Sequence, residues 1–80
     1  MVKVVQRGRF SVYVYVERGE RHHLPHCHVY WSDGESVVSL RDAELLRGDP
    51  VPPAARTLVR EHLRDIRRAW DRLNPEETAQ

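Results

Sequence analysis

The stretch "RFSVYVYVE", residues 9–17, alternates apolar and polar side chains without a slip. Phe10, Val12, Val14 and Val16 fall on one face and Ser11, Tyr13 and Tyr15 on the other, the period of a half-buried strand. The apolar face demands a cover, and what supplies it decides the fold. Upstream, "VKVVQ" at 2–6 is a shorter β-branched run, and Arg7 and Gly8 read as a turn, so the chain opens with a hairpin. Downstream, the polar "ERGERHHLP" at 17–25 reads as a loop ending in a proline. Alternation resumes in "HCHVYWS" at 26–32, with His26, His28, Tyr30 and Ser32 on one side and Cys27, Val29 and Trp31 on the other. Asp33 and Gly34 form a hairpin signal, and "ESVVSL" at 35–40 is the returning strand.

The cover lies at the far end of the chain. In "VPPAARTLVREHLRDIRRAWDRLN", residues 51–74, Ala55, Leu58, Val59, Leu63, Ile66, Ala69, Trp70 and Leu73 gather on one side of a helix at about 100° per residue. Pro53 suits the first turn, and Asn74 followed by Pro75 stops the helix. The predicted architecture is therefore α+β: an antiparallel meander of about four strands, near 2–6, 9–17, 26–32 and 36–41, covered on one face by a long C-terminal helix over 53–73. It is a two-layer sandwich. Trp31, Val12, Val14, Leu63, Ile66 and Trp70 are the expected core. "RDAELLRGDP" at 41–50 reads as a short helix or a turn.

Eighty residues are enough for one domain, expected over 1–74 with a solvated tail at 75–80. The composition, 40% hydrophobic and 31% charged, is that of a globular chain and offers no apolar run of membrane-spanning length. "MVKVVQRGRF" has no signal-peptide pattern, so a cytoplasmic location is expected. The single cysteine excludes an internal disulfide and a thiolate-rich zinc site.

The net charge of +1 hides an uneven distribution. Residues 1–32 carry five basic against two acidic side chains, and residues 52–74 carry six arginines against three acids, so each region is +3. The middle and the tail are acidic. Arg56, Arg60, Arg64, Arg68 and Arg72 recur every four residues, with Glu61, Asp65 and Asp71 at pairing distance along the helix. This stripe reads as a solvated face or as a surface for nucleic acid or an acidic protein.

Four of the five histidines lie in "RHHLPHCHV", residues 21–29. Residues two apart on a strand point the same way, so His26 and His28 stand roughly 7 Å apart. Three readings are open. With His22 or His23 the pair forms a zinc or nickel site. Alone, His26 and His28 act as metal-free acid and base in phosphoryl transfer. Otherwise the stretch is an ordinary loop-to-strand junction. Arg9, Arg18 and Arg21 supply phosphate contacts, and Tyr13, Tyr15 and Tyr30 supply stacking surfaces beside the histidines, a combination suited to single-stranded RNA. His62, at the edge of the helix's apolar arc, and Cys27 read as core residues.

The opening strand, Gly8 and Phe10 at the turn, the "VYVYVE" strand, the H-x-x-P-H-x-H-V pattern at His22, Pro25, His26, His28 and Val29, the step from Gly48 to Val51 and Pro52, and Trp70 late in the helix together resemble the small bacterial proteins grouped as domain of unknown function 4160. The resemblance spans roughly residues 4–73. Leu24 stands where the family usually has the first of two prolines, and His62 where an aromatic residue is common. The resemblance implies an association with toxin–antitoxin operons and a small antitoxin-like partner protein. The reading that follows is a toxin-like component acting on RNA or its partner without a cofactor and with no membrane role. The alternative is a metal-binding or protein-interaction module, and a homodimer through an exposed strand edge is open to either.

Overall fold

The computed structural model of the chain describes residues 1–16 and 24–75. Five strands, β1 (Val2–Arg7), β2 (Phe10–Val14), β3 (His26–Trp31), β4 (Gly34–Ser39) and β5 (Leu45–Gly48), form one antiparallel sheet in sequence order, followed by helices α1 (Pro53–Glu61) and α2 (Leu63–Leu73). The α+β meander with a helical cover is as expected. The number of strands and the single helix are not.

β2 alternates as predicted: Phe10, Val12 and Val14 are buried, with Ser11 and Tyr13 half-buried between them. They join Cys27, Val29, Val38, Leu40, Ala43, Ala55, Leu58, Val59, Ile66 and Trp70 in one core between sheet and helices. Trp31 and Leu63, expected inside, are only half-buried at its margin. The strand ends at Val14 rather than residue 17, and Val16 is exposed. The β1–β2 turn is taken by Gly8, whose φ of 57° suits a residue without a Cβ.

The fifth strand corrects the reading of 41–50. Leu45-Leu46-Arg47-Gly48 lacks strand-like alternation because Leu46 is an extra residue: Val38 pairs with Leu45 but Val37 with Arg47. Before it, Ala43 takes a φ of 59° and its N–H donates to Ser39 O at 2.9 Å. Asp49 closes the strand by accepting from Glu35 N at 2.9 Å, and its own N–H donates to Glu35 O at 2.8 Å.

The β3–β4 turn also differs from expectation. Trp31 pairs with Gly34 and Tyr30 with Glu35, so Ser32 and Asp33 form the two-residue loop and Gly34 belongs to the strand. Gly34 is required there for space: a Cβ would sit 2.5 Å from Asp49 Oδ2 and 2.8 Å from Trp31 Cζ2.

The helix divides at His62, which has φ −112° and ψ 19°. Its N–H is shared between Leu58 O at 3.2 Å and Val59 O at 3.3 Å. The apolar stripe reaches this turn with a polar ring, whose Nε2 lies 3.4 Å from the Arg7 guanidinium and Nδ1 4.0 Å from Asp65. The stripe resumes at Ile66 and Trp70, so both helices bury one face against the sheet.

Candidate functional site

The sheet face opposite the helices gathers the side chains that the alternation of β2 and β3 predicts. Tyr13 pairs with His28 and Ser11 with Tyr30, which brings the two strands' rings together. The Tyr15 and Tyr30 hydroxyls share a 2.8 Å hydrogen bond. Tyr15 meets His28 edge to face at 4.7 Å between ring centroids, and Tyr13 meets Tyr30 the same way at 5.6 Å. Such edge-to-face pairs align ring edges with π-faces and hold the rings in fixed directions. The result is a contiguous patch of four rings, Tyr13, Tyr15, His28 and Tyr30.

Glu35 completes it. The β3–β4 register puts this carboxylate opposite Tyr30, where it accepts from His28 Nδ1 at 3.4 Å. Burial pushes the Tyr30 hydroxyl well above the ordinary tyrosine range, and its hydrogen bond and proximity to Tyr15, then Glu35, push the same way. The phenol therefore stays protonated at neutral pH. Sequence reading missed Glu35 because a turn at Asp33 and Gly34 would place it opposite Ser32, two residues further from the histidines along β3 than its observed partner Tyr30. Ser32 and Asp33 as the loop residues would have found it.

His26 belongs to the same strand but plays another part. It is 8% exposed, its ring lies 5.0 Å from that of Trp70, and its Nδ1 donates to Leu24 O at 2.7 Å. The hydrogen bond fixes the ring at the loop-to-strand junction, and the Trp70 contact ties it to α2. His26 and His28 lie 5.4 Å apart by ring centroid. His28 Nε2 is itself buried. The two imidazoles are thus framework as much as surface, whereas a general base must reach the proton it takes. The arrangement suits recognition by the ring patch better than proton transfer to a ligand.

The remaining predicted residues are spread out. The Arg9 guanidinium, exposed at the β1–β2 turn, lies over Phe10, 5.0 Å from its centroid. Lys3, not singled out from the sequence, sits 6.0 Å over Tyr13 and brings a cation to the patch. Arg18, Arg21 and His22 fall outside the described residues. So does the third ligand of the zinc or nickel reading, and among the described residues no three His, Cys, Asp or Glu side chains converge. In the arginine stripe, Arg67 donates to Leu40 O at 2.7 Å and Arg56 to Ala43 O at 3.0 Å, anchoring the helices to the chain between β4 and β5. Arg60, Arg64, Arg68 and Arg72 are exposed. No helix among the described residues is long and apolar enough to cross a membrane.

Comparison with known proteins gives one match. The family model described as Domain of unknown function (DUF4160) matches residues 10–71, the span from the start of β2 to near the end of α2. No curated protein and no solved structure matches the chain.

Proposed function

Since the chain belongs to the DUF4160 family, whose description assigns no activity, its function has to be argued from its own site, and we propose that it is a toxin-like component of a two-protein module that acts by binding single-stranded RNA on the sheet face opposite the helices. The observation that carries this reading is the contiguous Tyr13, Tyr15, His28 and Tyr30 patch, with Lys3 over one ring. Rings held in fixed directions on a sheet accept bases by stacking, and a neighbouring cation meets the phosphates. The His28–Glu35 contact and the Tyr15–Tyr30 hydrogen bond hold that platform in shape. A small antitoxin-like partner that covers this face would neutralise the protein.

The test is fluorescence anisotropy with a labelled single-stranded RNA across a salt series, alongside growth after induced expression. Tyr13→Ala should weaken RNA binding by about tenfold, the loss of one stacked base, and relieve growth arrest while the circular dichroism spectrum stays native. Wild-type protein that shows no saturable RNA binding at low salt would refute the reading. A growth effect that persists in Tyr13→Ala together with Tyr30→Phe would move the action away from this face.

A further inference from the structure

The sheet has two edges, and they differ. β1 carries Lys3 and Arg7, and charge along an edge discourages pairing with another chain. β5 is exposed at all four positions and contains neither lysine nor proline. Leu45 and Leu46 are 39% and 43% exposed, two large apolar side chains side by side on an edge ladder that no other strand among the described residues pairs with. The bulge explains their placement. With Leu46 as the extra residue, Leu45 stands opposite Val38 and Arg47 opposite Val37, so Leu45 and Arg47 point to different faces although they are two apart. Glu44 O accepts from Ser39 N at 2.9 Å, which sets Glu44 next to Ser39, on the Val37 side of the alternation.

We infer that β5 pairs antiparallel with β5 of a second copy of this chain, centred between Leu45 and Leu46. In that register Leu45 of each copy faces the partner's Leu46, and Glu44 of each faces the partner's Arg47. The segment Glu44-Leu45-Leu46-Arg47 is its own complement: one acid and one base exchange places under the two-fold axis, with the leucines covered between them. Opposite charges directly across a strand pair attract and like charges repel. The wrong register is therefore penalised, since shifting by one pair leaves an arginine opposite a leucine. Glu44 is open to this exchange, its contact with Arg56 being a long 3.9 Å and largely solvated.

Antiparallel pairing of identical edges requires a two-fold axis perpendicular to the sheet, which keeps the same face up in both copies. The dimer then has one ten-stranded sheet, all helices on one side and both ring patches on the other. Five strand spacings separate the two β3 strands, about 24 Å.

The experiment is sedimentation equilibrium of the full chain over a concentration series, with circular dichroism to confirm folding. Wild type should dimerise reversibly. Arg47→Glu and Glu44→Arg, each placing like charges opposite one another twice, should each weaken the dimer by at least about tenfold. The double variant Glu44→Arg/Arg47→Glu restores both pairs and should recover wild-type association. This recovery separates the proposal from mere damage to the fold. Wild-type protein that stays monomeric, a dimer indifferent to either single reversal, or a double variant no better than the singles would each overturn the proposal.

Discussion

Replacing His26 with alanine tests whether the first histidine of the P-H-x-H pattern belongs to the framework. Three losses are readable from its surroundings. The hydrogen bond from Nδ1 to Leu24 O, 2.7 Å long, is worth about 0.5–1.5 kcal/mol net. The ring pair with Trp70, 5.0 Å between centroids, adds about 0.5–1.5 kcal/mol. Re-exposing ring carbons that are now covered costs on the order of 1 kcal/mol more. The sum is about 2–4 kcal/mol, a large share of the about 4–12 kcal/mol available to a chain of this size. At about 4–8 °C per kcal/mol for small domains, the melting temperature should fall by roughly 8–32 °C. Urea unfolding followed by tryptophan fluorescence gives the matching free energy, because Trp70 is itself the reporter. A loss below about 0.5 kcal/mol would show that His26 is not a framework residue and that its inward setting is wrong.

Other consequences are equally direct. Ile66→Ala, at a fully buried position, should cost about 2–5 kcal/mol, and Leu63→Ala, at a half-buried one, distinctly less; the reverse order in urea unfolding would mean that the wrong face of α2 meets the sheet. Gly48→Ala should destabilise far more than Gly8→Ala, since a Cβ at Gly48 meets Glu35 O at 2.6 Å while nothing lies within 4 Å at Gly8; equal melting temperatures would contradict the β4–β5 register. Burial pushes the Cys27 thiol from 9.0 up to about 12, so its contribution to stability is fully present below pH 9 and is lost as pH rises toward 12. Cys27→Val should flatten that alkaline decline, and iodoacetamide at pH 8 should modify the native thiol only after unfolding.

How far the sequence could be read depended on periodicity. The strict alternation of β2 and the stripe on the helices fixed the two layers and most of the core, because each pattern has one way to bury its apolar side. Three of the misses lie where one residue breaks a period. Leu46, the extra residue of β5, erased the alternation that marks a strand, so the edge strand looked like a turn. His62 fills one turn of a helical stripe that otherwise reads as continuous, and its contact with Arg7 on β1 is invisible along the chain. Gly34 looked like a turn residue but is there for lack of room, and that displaced Glu35 by two residues along β3. The ring patch itself was legible from Tyr13, Tyr15, His28 and Tyr30; the inward setting of His26 and the structural use of Arg56 and Arg67 were not, since both depend on contacts between distant segments.

The order of strands in the sheet has a kinetic consequence. Every strand pairs with its neighbour in sequence, from β1 through β5, so the sheet can grow by successive short closures. The contacts that span the chain, such as the one from Asn74 Nδ2 to Tyr15 O across 59 residues, close only when α2 docks. If the sheet forms before the helices settle on it, substitutions in α2 act after the rate-limiting barrier. Ile66→Ala would then chiefly speed unfolding and leave the folding limb of a chevron nearly in place. A folding rate slowed in proportion to the lost stability would instead put the helix in the nucleus.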